Sequence, residues 1–155
     1  MTQNQPQNQT QNQSPTEDLC DSKRLALRVV AMPRDTNQYG TIFGGVILSY
    51  IDQAGFVEAR RHGCHRWVTA AINAVEFQAP VNVGDVICLY TTTTRTGTSS
   101  VTVKIEVVAE RYMTGETVDV TAADMTLVAV DPTGKPIPFR SPPTVVEPGV
   151  TLNKG

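Results

Sequence analysis

One stretch of this 155-residue chain carries a helical repeat, and most of the chain after it carries the repeat of a strand. Between Gly44 and His62, the residues Leu48, Ile51, Gly55 and Ala59 recur at intervals of three and four, so they share one face of a 3.6-residue period. Gly63 stands where a helix commonly ends in a left-handed cap. From Trp67 the period changes to two. Val68, Ala70, Ile72 and Ala74 alternate with Thr69, Ala71, Asn73, Val75 and Phe77 as far as Gln78, and Ala79-Pro80 closes the run. Val86 to Thr96, entered through the turn Asn82-Val83-Gly84-Asp85, is rich in Val, Thr and Tyr. After Gly97-Thr98-Ser99, the residues Val101, Val103, Ile105, Val107 and Ala109 alternate with Thr102, Lys104, Glu106, Val108 and Glu110, the clearest half-buried strand in the chain. Thr114-Gly115-Glu116 turns it back into Thr117 to Val130. Ahead of the helix, Lys23 to Met32 supplies one more extended segment, which stops before Pro33.

One apolar helix and about five long strands leave one solution, an α+β layer in which an antiparallel sheet of five to six strands covers the helix. Short turns make the four strands after the helix antiparallel neighbours. An uncovered sheet edge and helix flank remain, so self-association is expected rather than a monomer.

The helix holds one residue out of keeping with its stripe. Asp52 follows Ile51 and lies between Leu48 and Gly55, on the face expected to be buried. A carboxylate there must be hydrogen-bonded, paired, or standing in a cavity where it does chemistry. Two readings stay open: a structural hydrogen bond at the edge of the stripe, or a catalytic acid. Gly44 and Gly45 open the same helix, where glycine lets a ligand approach and unpaired N–H groups point outward. Such a start can hold a carbonyl oxygen or an oxyanion.

Composition narrows the remaining classes. With 40% hydrophobic residues the chain suits one domain with its own core, read here as residues 21–140. Residues 1–20 begin with a Gln/Asn-rich run lacking a basic start or apolar core, and read as a disordered tail rather than a signal peptide; residues 141–155, with Pro142-Pro143 and Pro148-Gly149, read as irregular. No apolar stretch approaches the roughly 20 residues of a membrane helix, so a cytoplasmic protein without membrane contact is expected. Cys20, Cys64 and Cys88 are scattered, read as reduced thiols, two of them packing, and their spacing matches no metal site. A net charge of −2 and 6% aromatic residues argue against a nucleic-acid partner.

Taken together, Asp35-Thr36-Asn37, Gly40, Ile42-Phe43-Gly44-Gly45, Ile51-Asp52, Val68-Thr69-Ala70, Phe77 with Pro80-Val81, Val83-Gly84-Asp85, Gly97-Thr98-Ser99-Ser100, and Val128 to Asp131 with Gly134-Lys135-Pro136 resemble, in order and spacing, the YciA-type acyl-CoA thioesterases of the hotdog superfamily. The resemblance spans Leu25 to Phe139. It implies a hotdog fold, hydrolysis of acyl-CoA to a free acid and coenzyme A, no separate cofactor, and a homodimer at least, with three dimers in a hexamer. It implies that Asn37 and Asp52 form the catalytic pair across two protomers. The Gly45 amide would polarise the thioester carbonyl, Asp52 would serve as general base or as nucleophile, Asn37 would orient the water or the carbonyl, and Thr69 would hold the water. Phe43 stands where some relatives carry His; with Gly44 it would line the pantetheine or acyl wall, and only substrate preference is touched by the change. Gly97, Thr98, Ser99 and Ser100 would line the coenzyme A groove. Arg95, Arg111 and Lys135 are candidates for its phosphates, with plain surface charge as the other reading.

Other constellations carry less. His62 and His65 lie in a basic run at the helix C-terminus, where the dipole favours cations; a solvated cap is the expectation, a landing patch for phosphates the alternative. Cys64 beside His65 lacks the geometry of a nucleophile and its base. A Gly-x-Ser-x-Gly elbow is missing from the sequence. Two rivals to hydrolysis stand on the same fold: a non-catalytic acyl-CoA sensor, which would bind without releasing thiol, and an acyl-thioester hydratase or dehydratase, which would want a histidine in the loop or helix core.

Overall fold

The structure, a computed structural model, describes residues 22–145. The N-terminal tail, Cys20 and most of the C-terminal tail lie outside the described residues; residues 141–145 have no regular structure. Strand β1 (Arg24–Val30) leads through a single 3-10 turn (Pro33–Asp35) to helix α1 (Gly44–Ala59), which tightens into a 3-10 turn at Arg60–His62. Gly63 ends it, but at φ 149° and ψ 152°, a conformation open to glycine that is not the left-handed cap expected. Four strands come after the helix: β2 (Arg66–Asn73), β3 (Val86–Thr96), β4 (Ser100–Glu110) and β5 (Thr117–Val130). All pairs are antiparallel, in the order β1-β3-β4-β5-β2. The result is an open five-stranded sheet wrapped about one helix, the arrangement the resemblance implies.

Two expectations about the strands need correction. The alternating run from Trp67 does not continue to Gln78: β2 ends at Asn73, and Ala74 takes a positive φ of 43°, a conformation that breaks a ladder. Nor are the four later strands consecutive neighbours. Residues 74–85 carry the chain from β2 at one edge to β3 on the far side of β4 and β5, and β2 pairs instead with β5, from Arg66 opposite Val130 to Asn73 opposite Asp124. Alternation predicts a strand but not its neighbour, because pairing is fixed by which strands the helix crossover leaves adjacent.

The core lies between α1 and the concave face of the sheet. Val101, Val103, Ile105, Val107 and Ala109 of β4 are all buried, as their alternation predicts. They pack beside Ile87 and Leu89 of β3 and Met125 and Leu127 of β5. The helix meets β5 at Gly55, where an added Cβ would collide with Met125 Sδ. The closeness there is a matter of packing and not of backbone torsion: a larger residue would have to displace the Met125 side chain.

The buried stripe of α1 runs Ile47, Ile51, Ala54, Gly55, Glu58 and Ala59. It is rotated from the expected one: Leu48 and Asp52 are exposed, and the carboxylate on the core face is Glu58, with 0% exposure. Glu58 survives there because both of its oxygens have partners. It accepts hydrogen bonds from the Thr91 and Thr93 hydroxyls, both at 3.0 Å, and pairs with Arg61 Nε at 3.1 Å. Removing one member of such a buried set costs on the order of 3–5 kcal/mol, because the rest stays buried without its partner.

Candidate active site

Asp52 and Thr69 meet. The Thr69 hydroxyl donates to Asp52 Oδ1 at 2.6 Å, a short bond to an ionised acceptor. Thr69 is carried by β2 opposite Leu127, and the ladder slips immediately after it, between Thr69 and Ala71. Such a bulge re-aims a side chain. Within one chain both residues are exposed, so Asp52 stands at an open surface and not in the core. Beside them is a cavity of about 300 Å³. Leu27, Phe56, Val57, Trp67 and Leu127 form its walls, and Asp52, Gln53 and Thr69 give it a polar margin.

The start of α1 is the second half of the arrangement. Phe43 caps the helix with extended torsions, and no side chain caps it. The Phe43 carbonyl accepts from the Val46 amide at 3.0 Å and the Ile47 amide at 3.4 Å, leaving the first-turn amides of Gly44 and Gly45 without intrahelical partners. A Cβ on Gly44 would press on the Phe77 ring at 3.3 Å, whereas one on Gly45 would meet nothing. Next to this helix start is a cavity of about 350 Å³, lined by Ile42, Gly44, Ile47 and the segment Phe77 to Val81. Half of the Phe43 surface remains exposed beside it.

Asn37 and Asp52 are not brought together within one chain. Asn37 organises its own loop: its Nδ2 donates to the Thr41 hydroxyl at 2.9 Å, and its Oδ1 accepts from the amides of Tyr39 at 2.9 Å and Thr41 at 3.2 Å. Loop and helix start are tied by Phe43 N–H to Asp35 O at 2.9 Å.

The coenzyme A candidates divide. Gly97 to Ser100 is the β3–β4 hairpin, closed by Gly97 N–H to Ser100 O at 2.7 Å and built into the sheet end by Ala129 N–H to Ser99 O and Phe139 N–H to Thr98 O. Arg95 and Lys135 are exposed near it; Lys135 belongs to a turn held by Asp131, whose carboxyl is pulled below its usual range by the Thr133 hydroxyl and then by backbone amides. Arg111 is committed inside the fold, pairing with buried Asp85 and donating to Pro80 O at 2.9 Å.

The histidines are not the solvated cap expected of them. His65 is buried, between Phe139 O at 2.7 Å and the Thr144 hydroxyl at 3.2 Å. His62 is half-buried, bonds the Thr93 hydroxyl at 2.9 Å, and burial holds its pKa below 6.5 despite the opposing pull of Glu58. The irregular segment after β5 passes over the helix C-terminus, so that Phe139 packs against His62 and bonds His65. Of the two described thiols, Cys88 is buried and Cys64 is exposed, and both are free; Cys20 lies outside the described residues. Among the described residues no three His, Cys, Asp or Glu side chains are grouped to hold a metal. Nor, among them, is any helix long and apolar enough to cross a membrane. Sequence reasoning missed Glu58, although its place four residues after Ala54 and seven after Ile51 put it on the core stripe.

An open antiparallel sheet wrapped around one helix is the arrangement of the hotdog class. The family model of the Thioesterase superfamily matches residues 39–116. The acyl-CoA thioester hydrolase YciA of Salmonella typhimurium is 40% identical over 127 residues, covering 80% of this chain and 96% of its own. Among solved structures, a hexameric thioesterase from Yersinia pestis superposes with a TM-score of 0.72 at 42% identity, covering 76% of this chain and 96% of its own. A hexameric hotdog fold thioesterase of Campylobacter jejuni gives 0.69 at 43% identity, covering 74% and 88%. The chain belongs to the thioesterase superfamily, among the YciA-type acyl-CoA thioester hydrolases, and has the hotdog fold.

Proposed function

We propose that the protein hydrolyses acyl-CoA thioesters to a free carboxylic acid and coenzyme A, with Asp52 activating the attacking water. The observation that carries this is the Asp52 carboxylate, fixed by the Thr69 hydroxyl at the margin of an apolar cavity. That bond occupies Oδ1 and leaves Oδ2 to take a proton from water as the water oxygen attacks the carbonyl carbon. The oxyanion that forms needs preorganised donors, and the open amide of Gly45 is of the right kind. The carbon–sulfur bond then breaks and coenzyme A leaves as a thiolate, a group that needs little protonation. Water is the only second reactant, so the reaction asks for no cofactor. The alternative role for Asp52, attack as a nucleophile through a mixed anhydride, is separated by single-turnover labelling: only that route puts solvent ¹⁸O into the enzyme carboxylate.

The site is read as shared between two protomers. Along α1, Gly45 and Asp52 are about 10 Å apart at 1.5 Å per residue, and Asn37 is tied to the Gly45 end. A symmetric dimer sets the Gly45 and Asn37 end of one helix against Asp52 and Thr69 of the other. Three such dimers would make a hexamer, the state of the Yersinia and Campylobacter thioesterases. The exposed Arg95 and Lys135, with Gly97 to Ser100, are assigned to the phosphate end of coenzyme A; Arg111 reaches it only by leaving Asp85. Residues 21–140 are the working domain, and the exposed free thiol Cys64 fits the reducing cytoplasm.

The test is thiol release from an acyl-CoA by wild type and by Asp52→Asn. Asp52→Asn should keep the fold and lose on the order of 10²–10⁴ in kcat. Near-normal turnover by that variant would sink the assignment, and coenzyme A binding without thiol release by wild type would make the protein a sensor instead.

A further inference from the structure

Two cavities flank the proposed chemistry, and a thioester has two arms to place. We propose that the cavity beside Asp52 receives the acyl chain, and that Trp67 and Phe56 set the length it accepts. This rests on the reading of Asp52 as activator of the attacking water.

If Asp52 acts on the carbonyl carbon, that carbon sits within about 3.5 Å of the water it activates, at the margin of the cavity Asp52 itself lines. The walls beyond are hydrocarbon from both edges of the curled sheet and from the helix: Leu27 of β1, Phe56 and Val57 of α1, Trp67 of β2 and Leu127 of β5. The one polar atom of Trp67 is already satisfied, since its indole N–H donates to Gly63 O at 3.1 Å, so the ring offers the cavity only carbon. The cavity at the helix start is similar in polarity but is bounded along one side by the irregular run Phe77 to Val81, where main-chain groups outside the sheet ladder can meet the two amides of a pantetheine arm.

Length selection comes from how the two rings are held. Trp67 is 7% exposed and wedged between Phe139, at 5.9 Å between ring centroids, and His65, at 6.2 Å. It is a fixed floor. Phe56 is 42% exposed and forms the rim. A space of about 300 Å³, the volume of roughly ten waters, suits a short to medium acyl group. Each methylene that finds room there adds roughly fourfold in affinity, and each that does not is excluded by Trp67.

The experiment compares kcat/KM across a saturated acyl-CoA series from acetyl to palmitoyl for wild type, Trp67→Ala, Phe56→Ala and Phe77→Ala. Trp67→Ala should raise the ratio of long-chain to short-chain turnover by at least roughly tenfold, the worth of two newly buried methylenes, with Phe56→Ala shifting it in the same direction. Phe77→Ala should raise KM for all chain lengths alike. Should Trp67→Ala fail to fold, Phe56→Ala, altered at the surface, decides. Unchanged profiles for the Trp67 and Phe56 variants in an active enzyme, or a length shift in Phe77→Ala alone, would overturn this assignment while leaving the hydrolytic reading intact. Wild-type protein inactive on the whole series would remove both.

Discussion

Gly45 is a glycine the fold does not ask for. Its Cβ would meet open space and it is exposed, yet glycine weakens a helix by about 1 kcal/mol relative to alanine. Its neighbour Gly44 is explained by the Phe77 ring, and Gly55 by Met125; Gly45 has no such partner within the chain. What it offers is an amide in the first helical turn, where no intrahelical bond is lost if the N–H disappears. Gly45→Pro therefore separates fold from function: proline is tolerated in a first turn, so thermal stability should stay near wild type while kcat falls by about 10²–10³. An unimpaired kcat would remove the amide from the mechanism. At this scale the sequence was legible in part. Asp52 attracts attention as an acid among apolar residues, but the reason first available, burial, belongs to Glu58. Periodicity places a stripe to within one residue, and one residue is 100° of helix. The Gly44-Gly45 helix start was legible from the residues themselves, whereas the roles proposed for Asn37 and Thr69 rest on family resemblance.

Within α1 the two ends are built for different tasks. The N-terminal turn is bare, whereas the C-terminal end is filled by Glu58, Thr91, Thr93, Arg61 and His62. His62 titrates there against Glu58 on one side and Arg24 and Arg140 on the other, with burial dominating and its folded pKa held below 6.5. Between that lowered value and 6.5 the unfolded chain binds more protons than the folded one, so stability must fall as pH drops through this window. Thermal melts from neutral to mildly acid pH should show a decline that is shallower in His62→Gln; identical slopes would mean His62 carries none of it. Strand existence was legible from alternation, since β4 matched residue for residue. Strand order was not, because Ala74 breaks the Trp67 run and β2 finds β5, a partner with no local signature. The cavity beside Asp52 was illegible for the same reason: it arises where β1 and β2, distant in the ladder, meet the same helix.

For the molecule as a whole, β2 is an edge strand exposed along almost its full length, with Val68 and Ile72 among its exposed apolar residues. Such an edge invites pairing with a second copy. Val68→Lys combined with Ile72→Lys should shift the protein toward monomer by sedimentation and abolish hydrolysis together; an active monomer would contradict a shared site. The central claim, that Asn37 of one protomer serves Asp52 of another, is tested most directly by mixing two dead enzymes. Asn37→Ala and Asp52→Ala are unfolded together, refolded together, and assayed for thiol release. Random pairing makes half of the dimers mixed, each with one intact site of two, so recovery should approach about one quarter of wild-type activity. No recovery in dimers verified to be mixed would contradict the account.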